Sequence, residues 1–182
     1  DGSGSMDEIM QTELEIGLRY APGEKFVQHK WNRKSKTPEL PVFTLNHSIS
    51  KAGVLGSDYS IQHTEFSYRQ RLMAAPVGYF DVMLKAGKVW GQAPYPLLII
   101  PNANLSYTYR KETFETMTPM EFILDQHLTW DVVYYMNGLI FNRTPLIKNL
   151  KLREVLYCRG TWGSLSNRNN PAIDSSGNIF SY

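Results

Sequence analysis

Apolar and polar residues alternate one for one along several long stretches of this chain. In Thr12–Tyr20 one set comprises Thr12, Leu14, Ile16, Leu18 and Tyr20, and the other Glu13, Glu15, Gly17 and Arg19. Successive side chains of a strand point to opposite faces, so the pattern predicts a strand with one apolar and one charged face. Ser60–Leu72 sets Thr64, Phe66, Tyr68 and Leu72 against His63, Glu65, Ser67, Arg69 and Arg71. After a tight turn at Ala75–Gly78, Phe80, Val82, Leu84 and Ala86 oppose Tyr79, Asp81, Met83, Lys85 and Gly87. The longest stretch, Glu121–Asn137, puts Phe122, Leu124, Leu128, Trp130, Val132, Tyr134 and Met136 on one face. Glu121, Asp125, His127, Thr129, Asp131, Tyr135 and Asn137 fall on the other. Val42–Ile49 and roughly Lys151–Trp162 bring the predicted strands to about six. Gln92–Thr118, with three prolines, predicts a long connection containing one helical turn near Lys111–Met117.

Strands of globular domains usually run about five or six residues, and these hold their alternation for longer. A membrane-spanning strand needs roughly 9 to 11 residues, with lipid on one side and a polar lumen on the other. Unsatisfied amides in hydrocarbon cost several kcal/mol, so such a sheet must close into a barrel. Tyr20, Tyr59, Tyr79, Trp90, Tyr107, Tyr109, Tyr135 and Trp162 lie near strand termini, where interfacial aromatic girdles belong. The short turn at Ala75–Gly78 reads as periplasmic and the Gln92–Thr118 connection as extracellular. On this facing Trp130 meets lipid, while Asp131→Asn, in a wet lumen, is expected to be mild. A soluble sandwich or lipocalin-like barrel with an apolar ligand also alternates, and periodicity leaves it open.

Composition narrows the classes. Of 182 residues, 42% are hydrophobic and 20% charged, which excludes a disordered or collagen-like chain. Nineteen lysines and arginines against 17 acidic residues give a net charge of +2, no basis for a nucleic-acid partner. The single Cys158 excludes an internal disulfide and a multi-cysteine metal site. The longest aliphatic run, Leu97–Ile100, is fenced by Pro96 and Pro101, far short of the roughly 20 residues of a spanning helix. The opening Asp1–Ser5 is polar and glycine-serine rich, not a signal peptide. With Asn167–Gly177 also loop-like, and six strands fewer than the eight of the smallest barrels, the expectation is part of one larger barrel domain spanning 1–182.

Specific motifs recur as an ordered set: 86–98 (AGKVWGQAPYPLL), 120–125 (MEFILD), 137–147 (NGLIFNRTPLI), 150–155 (LKLREV) and 162–166 (WGSLS). Together with 18–25 (LRYAPGEK) and 54–59 (VLGSDY), they resemble the C-terminal barrel of a poorly characterised outer-membrane family of Bacteroidetes. Its members carry an N-terminal carboxypeptidase-regulatory-like β-sandwich before the barrel. The resemblance implies an outer-membrane location, and a sandwich domain, first strands and closing strands outside these residues. It further implies contact with outer-membrane lipid and lipopolysaccharide, with the remainder of its own barrel, and with other outer-membrane or surface-lipoprotein subunits. The family is distantly similar to the barrel-assembly and translocation superfamily typified by BamA and TamA. That superfamily's Arg-Gly-aromatic loop motif is absent, because Arg159-Gly160 is followed by Thr161.

Candidate chemistry is sparse. Glu121, Asp125, His127 and Asp131 share one predicted strand face, where carboxylates and imidazole two residues apart could polarise one another or hold a metal. The plainer reading is a polar lumen wall of charge pairs, and His63 with Glu65 reads the same way. No Gly-x-Ser-x-Gly elbow marks a barrel hydrolase acting on lipids. No phosphate loop is present either: Gly87-x-x-x-Gly91 lacks the Lys-Ser/Thr of a Walker motif. The basic cluster Lys30–Lys36, with Trp31, reads as a solvated loop able to touch lipid phosphates. Arg153 is expected to pair with an acidic residue of a neighbouring strand. The sequence thus predicts an all-β, antiparallel transmembrane barrel segment without cofactor or metal. Its expected role is non-enzymatic, in envelope or outer-membrane protein biogenesis or transport, with a passive channel, a lipid hydrolase or a soluble binding barrel as alternatives.

Overall fold

A computed structural model describes residues 9–28, 30–104, 113–143, 145 and 148–170. Among the described residues eight strands form in chain order: β1 Leu14–Tyr20, β2 Phe26–Gln28, β3 Arg33–Ser35, β4 Val42–Ile49, β5 Gln62–Met73, β6 Tyr79–Trp90, β7 Gln126–Tyr135 and β8 Val155–Ser164. Six of them build one antiparallel sheet in the order β1-β4-β5-β6-β7-β8, and β2 pairs with β3 as a separate hairpin. Each strand lies beside its sequence neighbour apart from that inserted hairpin. β1 and β8 are the two edges, so no closed barrel forms among the described residues.

The register turns alternation into two chemically different surfaces over the middle of the sheet. Towards the start of β5 the apolar one turns polar, at His47, Thr64, Lys88, Gln126 and Ser164. Leu18, Leu45, Phe66, Ala86, Leu128 and Trp162 are successive cross-strand partners, an unbroken apolar row across all six strands. The next row on that face is Tyr20, Phe43, Tyr68, Leu84, Trp130 and Gly160. One residue along, on the other face, Arg19, Thr44, Ser67, Lys85, Thr129 and Thr161 form a row that is polar throughout. The apolar rows are not covered: Leu18 and Trp162 are each 63% exposed, and Leu128 is 42% exposed.

The buried core is small and lies elsewhere. Ile61, Val89, Ala93 and Leu98 cluster at the end of the sheet where β5 begins and β6 finishes, joined by Tyr59, Leu97, Ile99, Ile123 and Leu165. Val89 alternates with Lys85 and Gly87, so this core sits on the polar side. It forms because the connection after β6 folds back across that face. The fold-back shortens β7 relative to the alternation at Glu121–Asn137. Leu124 makes a two-residue bridge with Ile99 and is buried, and the strand starts only at Gln126.

Other expectations are corrected. The 30–36 cluster is not a plain loop, because Arg33–Ser35 pairs with Phe26–Gln28 and the Arg33 guanidinium lies 3.7 Å over the Phe26 ring. The described part of 111–117 holds a bridge and a turn, and a 3-10 turn forms at Tyr95–Leu97 instead. Lys151–Glu154 precede β8 and are not part of it. Loop lengths do not sort the two ends, since the short turn after β5 shares its end with the long 21–41 and 136–154 connections. Of the predicted girdle, Tyr20, Trp90 and Trp162 take the apolar face, whereas Tyr79 and Tyr135 stack on the polar one with centroids 4.6 Å apart. Tyr59 joins the core, and Tyr107 and Tyr109 lie outside the described residues.

The β5–β6 turn closes tightly on β7. Gly78 has φ +116°, and a Cβ there would stand 1.9 Å from the Tyr135 carbonyl oxygen. Gly78→Ala is therefore expected to cost about 2–3 kcal/mol through backbone strain and strand displacement, read as a lowered urea midpoint.

Candidate polar-face site

Register sets two charge pairs on the polar face. Arg71 faces Asp81 across β5 and β6, donating from Nε to Oδ1 at 2.6 Å and from Nη2 to Oδ2 at 2.8 Å, while its guanidinium lies 4.2 Å over the Tyr79 ring. Arg159 on β8 faces Asp131 on β7, with Nε and Nη2 donating to Oδ2 at 3.0 and 2.5 Å. Its Nη1 also donates to the Thr113 carbonyl at 2.6 Å, tying the β6–β7 connection to the wall. Fork-shaped donation of this kind is stronger than a point-charge contact, and both side chains of the Arg159–Asp131 pair are largely shielded from solvent. Thr129 and Thr161, adjacent partners, share a hydrogen bond of 2.9 Å.

Cavities lie against this face. One of about 630 Å³, near the β5–β6 turn, is bordered by Arg19, Arg69, Arg71, Asp81 and Tyr157. A second, of about 180 Å³, lies between the wall residues His63, Glu65, Lys85 and His127 and the inward-folded Ile99–Asn102. The His127 ring rests across Gly87: a Cβ at 87 would come within 2.4 Å of its Cε1. The glycine clears the room that the imidazole fills.

The four residues singled out together in the sequence do not form one cluster. Glu121 stands in the connection and accepts from the Thr118 amide and hydroxyl at 2.9 and 3.0 Å, a local turn contact. Asp125 is buried just before β7, where Oδ2 accepts from the Ser166 amide at 3.0 Å and from Asn169 Nδ2 at 3.2 Å. His127 and Asp131 do face the polar side, but Asp131 is committed to Arg159. The expected mildness of Asp131→Asn is thus corrected. The arginines seen paired with a neighbouring strand's acid are Arg71 and Arg159, and Arg153 lies ahead of β8. Among the described residues no group of three or more His, Cys, Asp or Glu could hold a metal ion.

Sequence reasoning missed two residues. Asn169 is 1% exposed: its Oδ1 accepts from the Ala93 amide at 3.0 Å and its Nδ2 also donates to the Gly91 carbonyl at 3.2 Å. The other is Glu154, whose carboxylate accepts from the Ile140 amide at 3.0 Å and from the Phe141 amide. Desolvation raises the Glu154 pKa, but these amide donors outweigh it and hold the group below the ordinary carboxylate value. A lowered folded pKa contributes order above the unfolded value, about 4.3. The Ile140 and Phe141 amide resonances should therefore stay constant down to that pH and move only as it falls further. Glu154→Gln should abolish this titration.

A hydroxyl–imidazole contact lies on the other face of the sheet. His47 Nδ1 lies 2.9 Å from Thr64 Oγ1, but Trp90 Nε1 reaches the same hydroxyl at 3.0 Å, and both partners belong to the apolar-face side of the sheet. Among the described residues no helix is long and apolar enough to cross a membrane. Residues 2–167 match the model of the C-terminal domain of a family of unknown function (DUF5686). No curated protein and no solved structure matches the chain.

Proposed function

The chain belongs to the DUF5686 C-terminal domain family, whose function is unknown, and we propose that residues 14–164 form a section of an outer-membrane β-barrel wall. The apolar rows face lipid and the paired-charge face lines the lumen. One observation carries this reading: an all-apolar row crossing six strands is left bare, while the row beside it is polar throughout. Water-facing proteins rarely expose continuous apolar patches beyond a few hundred Å², and hydrocarbon is the solvent such a surface suits. A soluble binding barrel needs its apolar face around the ligand, whereas the cavities of about 630 and 180 Å³ lie against the polar face.

Open edges at β1 and β8 leave backbone groups that lipid cannot satisfy, so closure calls for strands beyond these six. The part played is non-enzymatic, in envelope or outer-membrane protein biogenesis or in transport. Trp31, 93% exposed between Lys30 and Arg33 at the β2–β3 tip, suits contact with lipid phosphates.

The test uses the full-length protein reconstituted into vesicles whose acyl chains carry bromine. Versions retaining only Trp130 or only Trp162 should lose fluorescence to the brominated chains and resist aqueous acrylamide. Quenching by acrylamide alone, with the protein dissolved without detergent, would overturn the membrane reading.

A further inference from the structure

Resting on the barrel reading, we propose that the segment Gly91–Asn102 is a constriction folded into the lumen, locked by an Asp125–Asn169 clasp. The segment leaves the end of β6 and does not continue outward. Ala93 and Leu98 bury against Ile61 and Val89, which project from the same face as Lys85 and Gly87. Ile99 then bridges Leu124, with N–H···O bonds of 2.9 Å in both directions. Further along, Ile100, Pro101 and Asn102 roof the small cavity over His63 and His127. The segment therefore crosses the polar face from the β5–β6 side towards β7 and β8.

Its fastening is polar and buried. Asn169, beyond β8, receives the Ala93 amide and grips the Gly91 carbonyl, and its remaining donor goes to Asp125. Asp125 belongs to the wall in turn: its carbonyl accepts from the Val89 amide at 2.7 Å and its amide donates to Ser164 at 3.1 Å. One asparagine thus joins the start of the crossing segment to strands β6, β7 and β8. The cross-piece is latched by apolar burial, by the Ile99–Leu124 bridge and by one buried clasp. Latched, it narrows the pore mouth.

Conductance of the full-length protein in planar bilayers tests this. Wild type is expected to conduct weakly. Asn169→Ala, which removes the clasp, and a version with residues 93–98 replaced by a glycine-serine linker should each conduct several-fold more. Insertion is checked in every case by brominated-lipid quenching of Trp130 and Trp162. A variant that inserts but conducts no better than wild type overturns the constriction and leaves the barrel reading intact. Failure of wild-type quenching sinks the barrel reading itself.

A second measurement keeps the native clasp. In a Cys158→Ser background, Ile99→Cys with Leu124→Cys places two thiols at a hydrogen-bonded antiparallel pair, roughly 5.5 Å apart at Cα and within disulfide reach. Oxidation of the inserted protein should give a near-complete intramolecular cross-link, seen as a reducible gel shift. An inserted protein that stays uncross-linked overturns the proposal.

Discussion

Trp130→Arg is expected to destabilise the membrane-inserted protein by about 2–4 kcal/mol, the range for a cation on the lipid face near the bilayer midplane. Trp130 stands mid-strand on β7 between Leu84 and Gly160, in the second apolar row. Its ring lies over Gly160, where a Cβ would come within 2.1 Å of Cζ2. The substitution removes that cover and puts a guanidinium where hydrocarbon must solvate it. Thr129→Gln, one residue away on the polar face, should change stability by no more than about 0.5–1 kcal/mol. Urea unfolding in lipid vesicles measures both. Equal losses would show that the two faces have been assigned the wrong way round.

Asp131→Asn should cost about 3 kcal/mol, because it breaks an ion pair shielded from solvent. The Arg159 side chain is 13% exposed and that of Asp131 11%. Removing the carboxylate charge weakens the two-nitrogen fork that Arg159 donates to Asp131. Arg159→Met in the same molecule should recover much of the loss, since two neutral side chains owe each other nothing. The double-mutant cycle should give a coupling of about 1–3 kcal/mol. Additive losses would mean that solvent screens the pair.

Period two was legible wherever both faces of a strand met uniform surroundings. Val42–Ile49 and the centres of β1, β5, β6 and β7 follow from alternation alone. Strand ends were less legible because alternation does not register what covers a residue. Phe122 and Leu124 keep the period, yet Leu124 is buried in a bridge with Ile99 and β7 begins two residues later. The β2–β3 hairpin escaped because three-residue strands give too few positions to establish a period. Its stacking of Arg33 on Phe26 depends on which residues fall opposite one another.

The candidate site was legible in kind and not in pairing. Charged residues on one face were visible, but which arginine meets which aspartate is a matter of register. Arg159 and Asp131 are 28 positions apart in the chain. Asn169 was hidden for a different reason. In a run rich in Asn, Ser and Gly, one asparagine looks like every other turn residue, and only burial distinguishes the one that fastens a loop.

The imidazole lying across Gly87 has a consequence for how relatives can diverge. A methyl group at position 87 would force the ring at 127 to shift, so loss of the glycine is easier where position 127 carries a smaller side chain. Homologous sequences that replace the glycine should more often carry a small side chain opposite, and those that keep the ring should more often keep the glycine. A joint count of the two positions across an alignment would reveal that bond of descent without a single measurement on the protein.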